Sequence, residues 1–102
     1  MSKAELRMTN SSSACLSGDL LNSTVTAVVE PGKHLLAKAG DCWTLDMSGV
    51  ERVSSAGVAL ILEWLRAANS QNTSLKIQNL PDHMKPIIDI SDLQPVFDPL
   101  LQ

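Results

Sequence analysis

Two adjacent serines, Ser54 and Ser55, stand where a short β-prone run gives way to a helical pattern. Their hydroxyls are the groups in this chain best placed to do chemistry. A serine hydroxyl can attack an electrophile when a base activates it, or it can accept a phosphate group. At the start of a helix it can also accept hydrogen bonds from the backbone N–H groups of the first turn. From the residues themselves, a helix cap and a functional hydroxyl both remain open.

Catalysis by the chain itself has little support around these serines. A nucleophilic serine needs a base and a group that orients the base. No histidine stands at an interpretable spacing from Ser55, and the nearby carboxylates in sequence are Asp46 and Glu51. His34 and His83 lie far apart, with no cysteine or carboxylate at the spacing of metal ligands. We therefore predict no catalytic residue, no metal site and no cofactor.

The elements that position the serines are a strand and a helix. Cys42–Leu45 is a β-prone run that is predicted to end at Asp46, whose carboxylate would accept hydrogen bonds from the following loop and organise it. The helix is indicated by apolar residues spaced i, i+3, i+4 and i+7, which form one buried face: Val58, Ile61, Leu62 and Leu65.

The rest of the chain predicts the element order ββαβαβ. The predicted elements are strands at Glu5–Thr9 and Ser13–Ser17, a helix through Val25, Val28 and Val29, the strand and helix described above, a strand at Leu75–Gln78, and a helix that starts at Pro81 and faces Met84, Ile87 and Ile88 inward. Pro31-Gly32 should break the first helix before Leu35. Pro95 and Pro99 limit the C-terminal segment to short pieces. Because each amphipathic helix must bury its stripe, we predict an α/β fold with a central mixed sheet and helices packed mainly on one face.

Length and composition predict a single domain that spans residues 1–102, since 102 residues with 44% hydrophobic content suffice for one core. Residues 1–12 are interpreted as an N-terminal strand and turn that could be loosely ordered. Cys15 and Cys42 lie in strand-like runs, where a thiol usually behaves as a small buried hydrophobe. These features describe an ordinary globular domain rather than a disulfide-stabilised one.

Charge and hydropathy argue against two classes of partner. The net charge is −3 and the eight Lys and Arg residues are scattered, so a nucleic-acid-binding stripe is not expected. The longest aliphatic run, Val58–Leu62, is far shorter than the roughly 20 residues of a membrane-spanning helix, so direct membrane insertion is not expected either. The N-terminus carries Glu5 and the polar tract Thr9–Ser13 where an export signal would be apolar, which predicts a cytoplasmic location.

An Asp-ended strand, a short loop, a hydroxyl pair, Ala56-Gly57 and an aliphatic helix together resemble the STAS domain, the sulfate-transporter and anti-sigma-factor-antagonist family. The resemblance covers roughly residues 13–101 and implies the SpoIIAA-like fold. In that family the loop usually reads Asp, then Ser or Thr, a small residue and Gly, and the hydroxyl after the Asp accepts phosphate in the antagonists. Ser55 falls on the phosphoacceptor position. Ser54 departs from the pattern, because it stands where the family has Asp.

The segment Leu62–Ala68, LEWLRAA, resembles more narrowly the MlaB-type STAS subunits of ABC systems that transport phospholipids and maintain outer-membrane lipid asymmetry. This resemblance implies a non-catalytic cytoplasmic subunit, associated with an inner-membrane transport complex, that binds the ABC ATPase. Two alternatives stay open. One is an anti-sigma factor antagonist that binds a serine kinase and is regulated by phosphorylation at Ser55. The other is an NTP-binding STAS protein that holds a phosphate at a helix N-terminus.

Leu60 and Trp64 form an i, i+4 apolar pair that points away from the centre of the predicted helical stripe. One interpretation is a partner surface beside Ser55, with Trp64 as the aromatic anchor. The predicted partner-binding residues are Asp46, Ser54, Ser55, Ala56, Gly57, Leu60 and Trp64. The alternative interpretation is that the loop before Ser54, or a C-terminal helix, covers the pair.

Overall fold

The structure, a computed structural model, describes residues 3–102. Met1 and Ser2, which belong to the N-terminal segment expected at 1–12, lie outside the described residues. The strands are β1 (Glu5–Asn10), β2 (Ser13–Leu20), β3 (Cys42–Val53) and β4 (Ser74–Gln78). The helices are α1 (Thr26–Ala37), α2 (Ser55–Ser70), α3 (Lys85–Ile90) and α4 (Gln94–Phe97), with 3₁₀ turns at Asp82–Met84 and Asp98–Leu100. The predicted order ββαβαβ is confirmed.

The strands form one mixed sheet in the order β1-β2-β3-β4, with β1 and β2 antiparallel and the other two pairs parallel. Buried and half-buried residues alternate along the central strands, because successive side chains point to opposite faces. The face that joins the helices in the core carries Ala14, Leu16, Trp43, Leu45, Met47, Leu75 and Ile77. The other face carries half-buried residues, among them Thr44 and Lys76. The prediction of helices mainly on one face is confirmed.

Both cysteines lie on this second, more open face, and the prediction that their thiols are buried is wrong. Cys15 and Cys42 are half-buried and free. Their strand neighbours Leu16 and Trp43 are the buried ones, since the alternation of a strand sends adjacent side chains to opposite faces. An apolar run therefore does not bury every member of the run.

β3 is longer than the sequence pattern predicts. It continues through Asp46 to Val53, so Asp46 lies in the middle of the strand and not at its end. Two register irregularities between β2 and β3 accommodate the stretch around Gly49. Met47 and Val50 extend the buried face, which keeps the strand attached to the core.

α1 is one continuous helix, and the predicted break at Pro31-Gly32 is absent. Proline removes a single N–H from the helical ladder, and the side of α1 that carries Val28 and Leu36 stays buried in the core. Gly32 is buried, and the ring of Trp64 lies where a Cβ at this position would be. Here glycine permits a close helix contact and does not end the helix.

The C-terminal segment closes the core with short helices, as its prolines predict. Pro81 precedes the first 3₁₀ turn and is not itself the first helical residue. Met84, Ile88 and Phe97 are buried, while Ile87 is half-buried. Leu101 forms an isolated parallel bridge with Ile77. Within residues 3–102, no helix combines the length and the apolar character needed to cross a membrane.

Candidate partner-binding site

Ser54 is the N-cap of α2, and its hydroxyl is used for that purpose. Its backbone is extended, with φ −114° and ψ −173°, and its Oγ accepts a hydrogen bond of 3.1 Å from the Ala56 N–H. The Ser54 N–H donates to the Leu20 carbonyl at 3.1 Å, which ties the end of β3 to the end of β2. The predicted capping role is therefore present, and the start of α2 is fixed relative to the sheet.

Ser55 is the first residue of α2 and is exposed, whereas the next two residues are buried. A Cβ at Gly57 would lie 2.9 Å from the Val53 Cγ1 and 3.1 Å from the Leu20 Cβ, so the glycine lets α2 start close against the sheet. Ala56 is only 8% exposed. In the Ser54–Gly57 loop, Ser55 is thus the residue whose side chain a partner can reach, and Ala56 and Gly57 position it.

Asp46 lies at a different position along the β2–β3 pairing from the start of α2. Asp46 pairs with Cys15, whereas Val53, the last residue of β3, pairs with Leu20. The Asp46 Oδ1 accepts hydrogen bonds of 2.9 Å from the Asn79 side chain and from the Ser48 N–H.

These contacts define a different role for Asp46. The hydrogen bond from Asn79, followed by that from Ser48, holds the pKa of Asp46 below its ordinary value, because both stabilise the carboxylate. The Cys15 thiol also donates to Oδ2 at 3.9 Å. The expectation that Asp46 organises the loop before Ser54 is therefore wrong. Its hydrogen bonds go to Ser48 within β3, to Cys15 in β2 and to Asn79, the residue after β4.

Leu60 and Trp64 are buried, so the expectation that they form a partner surface is wrong. They are 2% and 0% exposed. Trp64 packs against Gly32 of α1, donates from Nε1 to the Val29 carbonyl at 3.0 Å, and meets the Trp43 ring edge-on at a centroid separation of 5.5 Å. The element that covers Trp64 is α1. Neither interpretation of the sequence considered this helix.

The buried stripe of α2 is also rotated from the predicted one. Ile61 lies at its centre, while Leu62 and Leu65 are only half-buried. The rotation follows from the two surfaces that α2 covers, since it packs against α1 as well as against the sheet. An apolar pair off the predicted stripe therefore indicates a second helix contact in this fold.

Two further residues lie beside the loop and were missed by the sequence analysis. Asp19, in β2, is 2% exposed, and its Oδ1 accepts from the Arg52 N–H at 3.3 Å. The Arg52 Nη1 lies 3.9 Å from Oδ2, and the Arg52 side chain is 65% exposed. A signal for this pair exists in the sequence, because Asp19 is the only charged residue between Arg7 and Glu30. Arg52 therefore adds an exposed positive charge three residues before Ser55 in the sequence.

Neither histidine contributes to this site. His34 lies on α1 and His83 in the 3₁₀ turn, and both are exposed. Within the described part of the chain, no group of three or more His, Cys, Asp or Glu side chains is arranged to hold a metal ion. The start of α2 thus presents one exposed hydroxyl, that of Ser55, at a helix terminus fixed by the Ser54 cap, and Arg52 lies three residues earlier in the sequence.

The family model described as "Mlab, STAS domain" matches residues 8–101. The chain belongs to the STAS domain family. STAS domains are generally regulatory or interaction modules that mediate protein–protein contacts. No curated protein matches the sequence significantly.

Solved STAS structures share the fold at low sequence identity. Unphosphorylated SpoIIAA, an anti-sigma factor antagonist, has a TM-score of 0.68 and 16% identity, covering 97% of this chain and 86% of SpoIIAA. Phosphorylated SpoIIAA from Bacillus has a TM-score of 0.69 and 17% identity, covering 97% and 88%. A sulfate transporter family protein from Wolinella succinogenes has a TM-score of 0.69 and 13% identity, covering 88% and 74%. The SpoIIAA-like fold is confirmed.

Proposed function

We propose that this STAS domain is a non-catalytic subunit of an ABC-type phospholipid transport system and binds its ATPase through the surface around Ser55. The supporting observation is that Ser55 is exposed at the first position of α2, on a helix start fixed by the Ser54 cap. The MlaB description of the matching family model and the segment Leu62–Ala68 favour this transport system over other STAS roles. The chain would then act in the cytoplasm, at an inner-membrane complex.

The surface suits contact with a protein. Ser55 is exposed, and the two residues that follow it, Ala56 and Gly57, are small and buried, so neither of them blocks a partner's approach to the hydroxyl. Arg52, three residues before Ser55 in the sequence, adds an exposed positive charge, and its Nη1 lies 3.9 Å from the Oδ2 of the buried Asp19. The Ser54 cap fixes the start of α2, and groups that are positioned before binding lose little conformational entropy on association.

The proposed role leaves ATP turnover to the partner. The Ser54 hydroxyl is engaged in capping, and both histidines lie on other elements. What this subunit would contribute is assembly or support of the ATPase.

Co-expression with the candidate ATPase tests the proposal, using wild type, Ser55→Ala and Ser55→Glu. The ATPase should co-purify with wild type and Ser55→Ala. Ser55→Glu should keep its melting temperature, because a negative charge at a helix N-terminus is tolerated or favourable. It should lose the ATPase, since a hydrated carboxylate would have to be desolvated in the interface.

Ser70→Glu is the matched control, because Ser70 is the exposed last residue of the same helix. It should retain the ATPase. If Ser55→Glu binds the ATPase with wild-type affinity, Ser55 does not lie in the interface. Failure of the wild-type chain to co-purify would refute the transport role.

The exposed Ser55 hydroxyl also favours a second candidate, an anti-sigma factor antagonist controlled by phosphorylation. Incubation with a candidate serine kinase and ATP distinguishes the two. A mass increase of one phosphate that disappears in Ser55→Ala would favour the antagonist, and an unmodified chain would favour the transport subunit. The serine in place of the family's Asp at position 54 weighs against the antagonist.

A further inference from the structure

The net charge of the chain is concentrated in its C-terminal segment. Residues 1–78 carry seven Lys or Arg and seven Asp or Glu, which cancel. Residues 79–102 carry four Asp and a single Lys, so the whole net charge of −3 lies there. All four carboxylates are exposed: Asp82, Asp89, Asp92 and Asp98.

The same segment exposes large apolar side chains. Ile90, the last residue of α3, is 87% exposed, and Val96 of α4 is 37% exposed. The turn between the helices is tight, with Asp92 N–H bonded to the Asp89 carbonyl at 3.1 Å and Leu93 N–H to the Ile88 carbonyl at 3.0 Å. This turn brings the end of α3 next to the start of α4.

A cleft of about 290 Å³ lies beside the turn. Its lining combines four apolar side chains with polar and charged ones: Leu80, Ile88, Phe97 and Leu101 with Lys85, Asp89, Gln94 and Asp98. We call Asp89, Ile90, Asp92, Val96 and Asp98, together with this cleft, the C-terminal patch. It joins two exposed apolar side chains to a rim of three carboxylates, while Lys85, the single cation of the segment, lies 3.4 Å from the Asp82 carboxylate.

We propose that the C-terminal patch docks a cationic amphipathic helix of a partner protein. Apolar side chains of that helix cover Ile90 and Val96 and enter the cleft, as in helix-in-groove recognition. Its Lys or Arg residues pair with the acidic rim. This proposal is independent of the Ser55 surface and of the identity of the partner that binds there.

Charge decides which occupant the patch accepts. A second copy of this chain, related by two-fold symmetry, would place the same acidic rim against itself, and like charges across an interface are costly. Anionic lipid is repelled for the same reason. A cationic helix neutralises the rim and covers the apolar residues in one step.

The test uses a defined probe, a fluorescent 18-residue amphipathic helix built from Leu and Lys, and a matched peptide with Glu in place of Lys. The Lys peptide should bind the full chain and shift the backbone NMR signals of residues 82–98, and the Glu peptide should not bind. Ile90→Ser should weaken binding about fivefold or more. The double variant Asp89→Asn/Asp92→Asn should weaken it and flatten its salt dependence.

Met8→Ser is the control, because Met8 is another exposed hydrophobic, 59% exposed, on β1. It should bind the Lys peptide as wild type does. Absent binding, NMR shifts outside residues 82–98, or an unchanged affinity in Ile90→Ser would each overturn the proposal. Self-association that Ile90→Ser abolishes would also overturn it and assign the patch to a second copy.

Discussion

Ser54 and Ser55 are adjacent, yet their hydroxyls face different surroundings. The Ser54 Oγ accepts from the Ala56 N–H and lies 3.5 Å from the Leu20 carbonyl, inside the junction of strand and helix. Ser55 follows with an exposed side chain. This difference separates the capping role of Ser54 from the proposed partner contact of Ser55, so each role can be tested by changing one of the two residues.

Ser54→Ala should lower the free energy of unfolding by about 1 kcal/mol, because the Ala56 N–H loses its capping acceptor. Urea denaturation of the purified variant measures this. Ser70→Ala is the control on the same helix. It removes only an exposed bond to the Ala67 carbonyl and should change stability by less than about 0.5 kcal/mol. Equal losses in both variants would show that the Ser54 hydroxyl does not cap α2.

Asp46 should add to stability near neutral pH and lose that contribution in acid. Its pKa is lowered in the folded chain by Asn79 and Ser48, so the contribution is complete above the unfolded-state pKa of about 3.9. It is lost as the pH falls through the lower folded value. Asp46→Asn should therefore be less stable than wild type at pH 7, and the gap should narrow below about pH 4. Urea midpoints at several pH values check this, and a constant gap would contradict it.

The positions of some functional side chains could be predicted from the sequence, and those of others could not. The Ser54 cap could be predicted because it depends on local chain geometry alone. The positions of Asp46 and Trp64 could not, since they depend on strand register and on the packing of α1 against α2. The ion pair of Asp19 and Arg52 joins two strands, and the sequence offers only the isolated charge as a signal.

At the scale of elements, the contact between α1 and α2 determines how both helices behave. Trp64 of α2 lies over Gly32, and its indole N–H is bonded to the Val29 carbonyl. This contact buries Trp64, which makes it unavailable to a partner, and it lies on the same buried side of α1 that continues past Pro31 to Leu36. A glycine and a proline together usually predict a helix end. Here tertiary packing outweighs that preference.

Gly32→Ala and Pro31→Ala should change stability in opposite directions. Helix propensity alone predicts that alanine improves both positions. A Cβ at Gly32, however, would overlap the buried Trp64 ring, so this variant should lose about 1–3 kcal/mol. Pro31 is exposed, and Pro31→Ala restores a helical N–H, so it should gain about 2 kcal/mol. Thermal unfolding measures both, and a stabilised Gly32→Ala would contradict the close contact.

The order and type of the main elements could be predicted because each carries its own periodicity of apolar residues. The length of β3 could not be predicted in this way. The stretch from Met47 to Val53 contains Ser48 and Gly49 and lacks a clear alternation, and it is a strand because β2 pairs with it. Pairing partners come from distant parts of the chain, which local patterns do not report.

At the scale of the whole molecule, the C-terminal segment both closes the core and carries the net charge. Phe97 and Leu100 are 1% and 8% exposed and belong to the same core cluster as Trp43 and Trp64. The exposed side of the segment holds the carboxylates and Ile90. Its inner side therefore packs into the core, while its outer side carries the exposed groups that we propose bind a partner.

If the segment is part of one cooperative core, Phe97→Ala should destabilise the entire chain. Removing a buried phenylalanine ring costs about 3–5 kcal/mol, through lost burial and the cavity left behind. Tryptophan fluorescence reports the sheet–helix contact, because Trp43 and Trp64 meet there, and far-UV circular dichroism reports the helices. The two signals should change together in one transition, at a lower urea midpoint than in wild type.

Val96→Ala is the control, because Val96 is next to Phe97 in the sequence but partly exposed. Its free energy of unfolding should stay within about 0.5 kcal/mol of the wild-type value. A Phe97→Ala variant whose helices melt before its tryptophan signal changes would show instead that the C-terminal segment unfolds on its own.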